Sequence, residues 1–106
     1  MSEDIKHKAK LAWDRKLSYL NLHEKFQDEL TFAFGGGMWR ADRETIAFLG
    51  AFANIEQMTV EDIYCVPRQV NPSELLELCK QKYQFAANAW ATEYARLSSI
   101  RKADNV

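Results

Sequence analysis

The feature that most constrains this chain is a long helical pattern in its C-terminal part. The letters NPSE open it, because Asn71 is a good N-cap, Pro72 suits the first helical position and Glu74 completes a capping box. Apolar residues then recur at steps of three and four, and nothing breaks the pattern until about Lys102. The members of this row are Leu75, Cys79, Tyr83, Ala86, Trp90, Tyr94 and Leu97. The pattern predicts one helix of about 30 residues, roughly 45 Å long.

A second row on the same helix recurs every seven residues, at Leu76, Tyr83, Trp90 and Leu97. This spacing resembles a coiled-coil seam, but Glu93 interrupts it and its aromatic side chains are bulky. Packing against a sheet and an N-terminal helix explains the row better. If the turns past Trp90 project beyond the domain, they expose an apolar strip that needs a partner. That strip consists of Tyr94, Leu97 and Ile100.

The N-terminal segment predicts another helix, from about residue 3 to residue 20. Its single apolar stripe consists of Ile5, Ala9, Ala12, Trp13, Leu17 and Leu20. Whether the helix ends there or runs on through residues 21–29 stays open, because Asn21 is able to start a second short helix.

Two β-hairpins are predicted between the long helices. Alternation over Leu30–Phe34 and a resumed run over Met38–Ala41 predict the strands of the first. The second pairs Gln57–Asp62 with Pro67–Val70, since proline is tolerated at the first residue of a strand. The letters IYCV then form its turn.

A short helix separates the two hairpins. Asp42 is a good N-cap for it, and it should end near residues 53–54. We expect it to be mostly buried, because Ile46, Phe48, Leu49 and Phe52 are closely spaced. The predicted architecture is a single α+β domain over residues 1–106 with the order α-ββ-α-ββ-α. It contains a small antiparallel sheet of two β-hairpins packed with helices, and a long C-terminal helix.

The glycine run Gly35–Gly37 raises the possibility of a phosphate-binding loop. A P-loop has a Lys and a Ser or Thr after its glycines, whereas Met38 and Trp39 follow here. A tight hairpin turn with positive φ angles is the better interpretation. Three glycines exceed what one such turn needs, so the tip around Gly36 is a candidate contact site.

An aromatic and basic group lies beside this turn, formed by Trp39, Arg40 and Arg43. Such a group can anchor a protein interface or stack on nucleic-acid bases. The alternative is that Trp39 packs on the sheet while both arginines are solvated. The net charge of −1 argues against a nucleic-acid partner.

No catalytic or metal-binding arrangement is recognisable. The candidate ligands are His7, His23, Cys65 and Cys79, and their spacing matches no zinc motif. The two cysteines are expected to be reduced, buried hydrophobes rather than a disulfide. The adjacent Glu61 and Asp62 should point to opposite faces of a strand, so they are not expected to act as an acid–base pair. We therefore expect no enzymatic activity, no cofactor, no metal and no small-molecule substrate. An enzyme stays open as a third alternative, and it would require a pocket with converging polar groups, which the sequence does not show.

The segments ELTFAFGGGMWRADRETIAFL and EDIYCVPRQVNPSELL carry a family resemblance over about residues 29–97. The chain resembles small proteins of T4-like tailed phages, in which a D-x-Y-G-N-P hairpin followed by V-N-x-x-E-L-L is common. It departs from that pattern where YCVP stands in place of YGNP. The resemblance implies a role in a phage virion or its assembly.

The expected function is that of a phage structural or assembly protein that acts through protein–protein contacts, including self-association. The N-terminus has no apolar core of a signal peptide, and the longest apolar run is too short for a bilayer. A cytoplasmic location is therefore expected, in the host cytoplasm or the virion. The candidate interface residues are Gly36, Trp39, Arg40, Arg43, Tyr94, Leu97 and Ile100. The alternative is a small regulatory module that binds a host protein or, less in keeping with the charge, nucleic acid.

Overall fold

The helices and strands follow the predicted order. The computed structural model describes residues 2–104, with side chains described over residues 4–100. The elements are α1 (Ser2–Asp28), β1 (Thr31–Phe34), β2 (Gly37–Arg40), α2 (Arg43–Ala51), β3 (Met58–Glu61), β4 (Pro67–Val70) and α3 (Pro72–Asp104). This order confirms the α+β class and the arrangement α-ββ-α-ββ-α.

The N-terminal helix α1 is one continuous helix of 27 residues, which decides between the two alternatives left by the sequence. Asn21 lies inside it and starts no second helix. Phe26 and Leu30 are both buried, so the C-terminal end of α1 is fixed in the core. Leu30 itself lies in the turn before β1, and its carbonyl accepts a hydrogen bond from Ala41 N–H at 2.8 Å.

The first hairpin turns at the glycine run. β1 and β2 are antiparallel with Phe34 opposite Gly37, so only Gly35 and Gly36 lie between the strands. Their φ angles are 58° and 80°. Two central residues with positive φ are the mark of a type I′ turn, whose twist matches that of the strands. Below the turn, Trp39 is 2% exposed and its Nε1 donates to the Phe34 carbonyl at 2.8 Å.

The third glycine, Gly37, belongs to β2 and is required for packing. A Cβ added there would stand 3.1 Å from Asp62 Oδ2, 3.2 Å from Arg68 Cγ and 3.3 Å from Trp39 Cζ2. The predicted strand Met38–Ala41 therefore begins one residue earlier. The glycine that exceeds the need of the turn is explained by the close approach of the second hairpin.

The second hairpin pairs β3 with β4 in antiparallel register, as predicted. Its turn is organised by Asp62, whose Oδ1 accepts from Tyr64 N–H at 2.9 Å and from Val66 N–H at 3.1 Å. Two backbone bonds of 3.0 Å close the loop, from Asp62 N–H to Val66 and from Cys65 N–H to Asp62. An aspartate side chain that bonds its own following backbone is a common way to fix a turn.

The hairpins form two separate two-stranded sheets. They meet at Met38, whose N–H donates to Asp62 Oδ2 at 3.3 Å and whose carbonyl accepts from Ile63 N–H at 3.0 Å. Because a side-chain carboxylate takes the place of a strand carbonyl, the ladder does not continue from one hairpin into the other.

The short helix α2 is capped by Asp42, whose Oδ1 accepts from Thr45 N–H at 2.8 Å, as predicted. The expectation that α2 is mostly buried is wrong. Leu49 is fully buried, but Phe48 is nearly half exposed and contacts the ring of Phe52. The reason is that α2 packs mainly on α3 and so buries one side only.

The long helix α3 begins as the capping letters predict, with Asn71 Oδ1 accepting from Ser73 N–H at 3.0 Å and Glu74 N–H at 3.1 Å. Its first half lies over the hairpins and α2. The buried core comprises Phe26, Leu30, Trp39, Ala41, Leu49, Val70, Leu75, Leu76, Cys79 and Ala86. No buried residue of α3 lies beyond Ala86 in the part described, so the core occupies one end of the molecule.

Candidate interaction surface

The two long helices extend well past the core. The molecule measures 66 × 24 × 21 Å and has a radius of gyration of 19.5 Å, whereas a compact chain of this length has about 13 Å. We call the extended part the arm and define it as residues 4–20 of α1 with residues 91–100 of α3. The sequence left open whether the last turns of α3 project beyond the domain, and in the structure they project together with α1.

A row of aromatic contacts holds α1 along α3. The rings of Phe26 and Trp90 stack at 4.7 Å, and those of Tyr19 and Tyr94 lie 4.9 Å apart. Further out, Tyr19 Oη lies 3.4 Å from Ser98 Oγ. Lower numbers on α1 meet higher numbers on α3, so the helices are antiparallel.

The apolar stripe predicted on the N-terminal helix is exposed, and Leu20 at its inner end also lines a groove with Trp90 and Tyr94 of α3. We call Ile5, Ala9, Trp13, Leu17 and Leu20 the outer α1 stripe. All five are exposed, and the four large side chains retain between 41% and 59% of their accessible surface. Ala12, the sixth predicted member, is exposed at the edge of a groove of about 450 Å³ beside Tyr19 and Tyr94. A row spaced in this way runs along one side of a helix, so the exposure is continuous.

The arm also carries three predicted contact residues. Tyr94 and Ile100 are nearly half exposed, while Leu97 is partly buried. Leu97 and Ile100 line a groove with Leu11 and Tyr19 of α1. The apolar strip expected on α3 is therefore partly covered by α1, and the larger open apolar surface belongs to α1.

The remaining predicted contact residues lie at the other end of the molecule. Gly36, Arg40 and Arg43 are exposed. Trp39 is buried, so its assignment as a surface contact is wrong, and the alternative of packing on the sheet holds for it. The hairpin tip at Gly36 lies beside Arg68, close to the start of α3. Tyr94 lies about 33 Å along α3 from the first residue of that helix. The structure does not bring the tip and the arm together.

Sequence reasoning missed the part played by Asp62, which is buried although charged. Burial alone raises the pKa of this carboxyl. The N–H groups of Val66, Met38 and Tyr64, followed by the Arg68 guanidinium, act against it, and the net result is a pKa below the ordinary value of 3.8. Arg68 Nε lies 3.6 Å from Asp62 Oδ2 and has no hydrogen-bond partner. The bond from Met38 N–H joins the two hairpins, whereas the contacts of Tyr64, Val66 and Arg68 with Asp62 lie within the second hairpin.

The two cysteines differ in environment. Both are free, and Cys79 is buried as expected, but Cys65 is exposed, so the prediction is wrong for Cys65. Burial, with a smaller effect of Asp42, raises the pKa of the Cys79 thiol to about 11. That thiol is therefore protonated at neutral pH and is a poor nucleophile.

The histidines are also separate from both cysteines. His23 packs against Trp90 with ring centres 5.4 Å apart. Over the described residues, no three His, Cys, Asp or Glu side chains converge on a point that could hold a metal ion. No helix in the described part of the chain is long and apolar enough to cross a bilayer.

Comparison with protein-family models, with curated protein sequences and with solved structures finds no significant match to this chain. Function is therefore inferred from the surfaces of the molecule. The outer α1 stripe departs from an ordinary protein exterior, because single exposed apolar residues are common and a row of them is not.

Proposed function

We propose that this protein is a structural or assembly protein that acts through protein–protein contacts, and that the arm carries the contact surface. The observation that supports this is the outer α1 stripe. Trp13, Leu17 and Leu20 stand on one side of a helix with about half of each side chain exposed. Burying apolar surface is favourable by about 25 cal/mol per Å². A partner that covered this side would bury apolar surface without any change in the fold, and the gain would offset part of the cost of association.

The shape of the molecule favours the same proposal. Helices that project from a core present a long and continuous surface to another protein. Recognition of one amphipathic helix by another is a common form of protein–protein contact. The contacts of Tyr19 with Tyr94 and of Phe26 with Trp90 hold α1 in place before a partner arrives.

A role in a phage particle is the part of the proposal that rests on the resemblance to small proteins of T4-like tailed phages. Mass spectrometry of purified particles and of assembly intermediates tests it. Detection of the chain in a fixed ratio to known particle proteins supports the role. Its absence from both preparations contradicts it.

Affinity capture tests the contact surface directly. The tagged wild-type chain is compared with Trp13→Asp, and Phe85→Asp serves as the matched control because Phe85 is 75% exposed on α3, outside the stripe. We expect a partner, whether this chain or another, that the wild type and the control retain and that Trp13→Asp loses. Identical binding by all three proteins, or binding by none of them, contradicts the proposal.

A further inference from the structure

We propose that the partner of the outer α1 stripe is a second copy of this chain, bound antiparallel about a two-fold axis at Leu17. This inference rests on the proposed function, since it names the occupant of the same surface. It is drawn from the arrangement of charges along the outer side of α1.

The outer side of α1 carries a row with the spacing of a coiled-coil seam. The row is Lys6, Lys10, Trp13, Leu17, Leu20, Glu24 and Asp28, and every member is exposed. Steps of four and three residues keep such a row on one side of a helix. Tyr19 and Phe26, which contact α3, lie on the opposite side. The row is therefore open to a second helix.

The charges at the two ends of this row have opposite signs and equal spacing from its centre. Lys10 and Glu24 each lie seven residues from Leu17, and Lys6 and Asp28 each lie eleven residues from it. A two-fold axis perpendicular to the helix at Leu17 places each lysine of one copy opposite a carboxylate of the other. In an isologous dimer every contact occurs twice, so two pairs per chain give four salt bridges.

The apolar centre of the row fits the same register. Leu17 meets its own copy at the axis, and Trp13 of each chain packs against Leu20 of the other. A parallel pair would set lysine against lysine and carboxylate against carboxylate, which like-charge repulsion disfavours. Lys16, at the border of the row, has a long side chain that reaches solvent. The charge pattern thus selects both the partner and its direction.

Charge reversal tests the register. Lys6→Glu with Lys10→Glu makes both ends of the row acidic, and Glu24→Lys with Asp28→Lys makes both ends basic. We expect each double variant to dimerise at least about tenfold more weakly than the wild type, judged from the usual strength of exposed ion pairs. An equimolar mixture should form a heterodimer, and the fourfold variant should regain the homodimer. Light scattering and sedimentation over a micromolar concentration range, at low salt, report these states.

Two results would overturn this inference. One is a mixture of the double variants that associates no better than each variant alone. The other is a wild-type chain that stays monomeric at every concentration. If such a monomer still captures a different protein and loses it on Trp13→Asp, the second copy is the wrong occupant and the proposed function stands. If it captures nothing in a Trp13-dependent way, both are overturned. Circular dichroism confirms that each variant is folded.

Discussion

At the scale of single residues, Cys65 occupies a backbone position that favours glycine. Its φ is 62°, in the left-handed region, and it is the last residue of the three-residue loop between Asp62 and Val66. Three-residue hairpin loops commonly end on such a residue. In a D-x-Y-G-N-P hairpin, glycine stands at this position. The sequence showed the departure from the pattern, and the structure shows its consequence, which is local strain.

We therefore expect Cys65→Gly to raise the midpoint of thermal unfolding by a few degrees, because glycine adopts positive φ without a steric penalty. Cys65→Ala is the control, since it removes the thiol and keeps the Cβ. Circular dichroism melts of the three proteins measure the effect. A glycine variant that melts at or below the alanine variant would show that the position is unstrained.

Asp62 predicts how stability depends on pH. Its pKa is below 3.8 in the folded chain, so the folded state holds fewer protons than the unfolded state in acid. Its contribution to stability is complete above 3.8 and is lost as the pH falls through the folded-state pKa. Asp62→Asn should lower the urea midpoint at neutral pH, because the amide loses the ion pair with Arg68 and offers one acceptor oxygen instead of two.

The difference in urea midpoint between the wild type and Asp62→Asn should then shrink as the pH is lowered below 3.8. Urea titrations across the acidic range measure it. Glu61→Gln is the matched control, because the neighbouring carboxylate is exposed and makes none of these bonds. A difference in urea midpoint that is constant with pH would mean that the charge of Asp62 does not stabilise the fold.

At the scale of the elements, two glycines predict opposite effects of the same substitution. Gly37→Ala in β2 places a methyl group within 3.3 Å of three side-chain atoms, one of them on the fixed carboxylate of Asp62. We expect Gly37→Ala to lower the free energy of unfolding by about 1 kcal/mol or more, as at other overpacked sites. Gly50→Ala in α2 meets nothing within 4 Å and should gain up to about 1 kcal/mol from helix propensity. Chemical denaturation compares them, and a neutral Gly37→Ala would show that the second hairpin can move aside.

The elements also show how far the sequence could be interpreted. The Asn71 cap, the Asp42 cap and the glycine turn predicted their elements to within a few residues, because each signal depends on local backbone chemistry. The orientation of α1 could not be predicted in this way. Periodicity identifies the apolar side of a helix. The side of α1 toward α3 carries Arg15, Tyr19 and Phe26, and because Arg15 is charged this row does not stand out as apolar.

At the scale of the whole molecule, the order of elements was predictable and the shape was not. The seven-residue row on α3 suggested a seam, and Trp90 does contact Phe26 of α1. What the sequence could not supply is that this contact continues outward through Tyr19 and Tyr94 with no sheet beneath it. Such placement depends on which surfaces dock in three dimensions. As a result, the two predicted contact regions, the tip at Gly36 and the arm, lie at opposite ends of α3.

Phe26 should therefore control whether α1 stays packed against α3 and the core. Phe26 is the single residue of α1 in the buried core over the described side chains, and its ring packs against both Trp90 and Tyr83. Replacing it with alanine leaves a cavity and frees the neighbouring aromatic rings, at a cost of about 3–5 kcal/mol. Small proteins are typically stable by about 5–15 kcal/mol, so this cost is a large share of the total stability. Phe85→Ala is the matched control on α3, exposed by 75%, and should change stability by about 0.5 kcal/mol or less.

The slope of the urea transition separates two ways in which Phe26→Ala can act. If α1 and the core unfold as one unit, the midpoint falls and the slope is unchanged, because the same surface is exposed. If α1 detaches first, the slope decreases and helical circular dichroism is lost before the main transition, because the remaining body has less surface left to expose. A variant that unfolds like Phe85→Ala would show that α1 is held by the outer contacts of the arm. Either of the first two results places the anchor of the arm at Phe26, so a partner that covers the outer side of α1 acts on a helix fixed at one end.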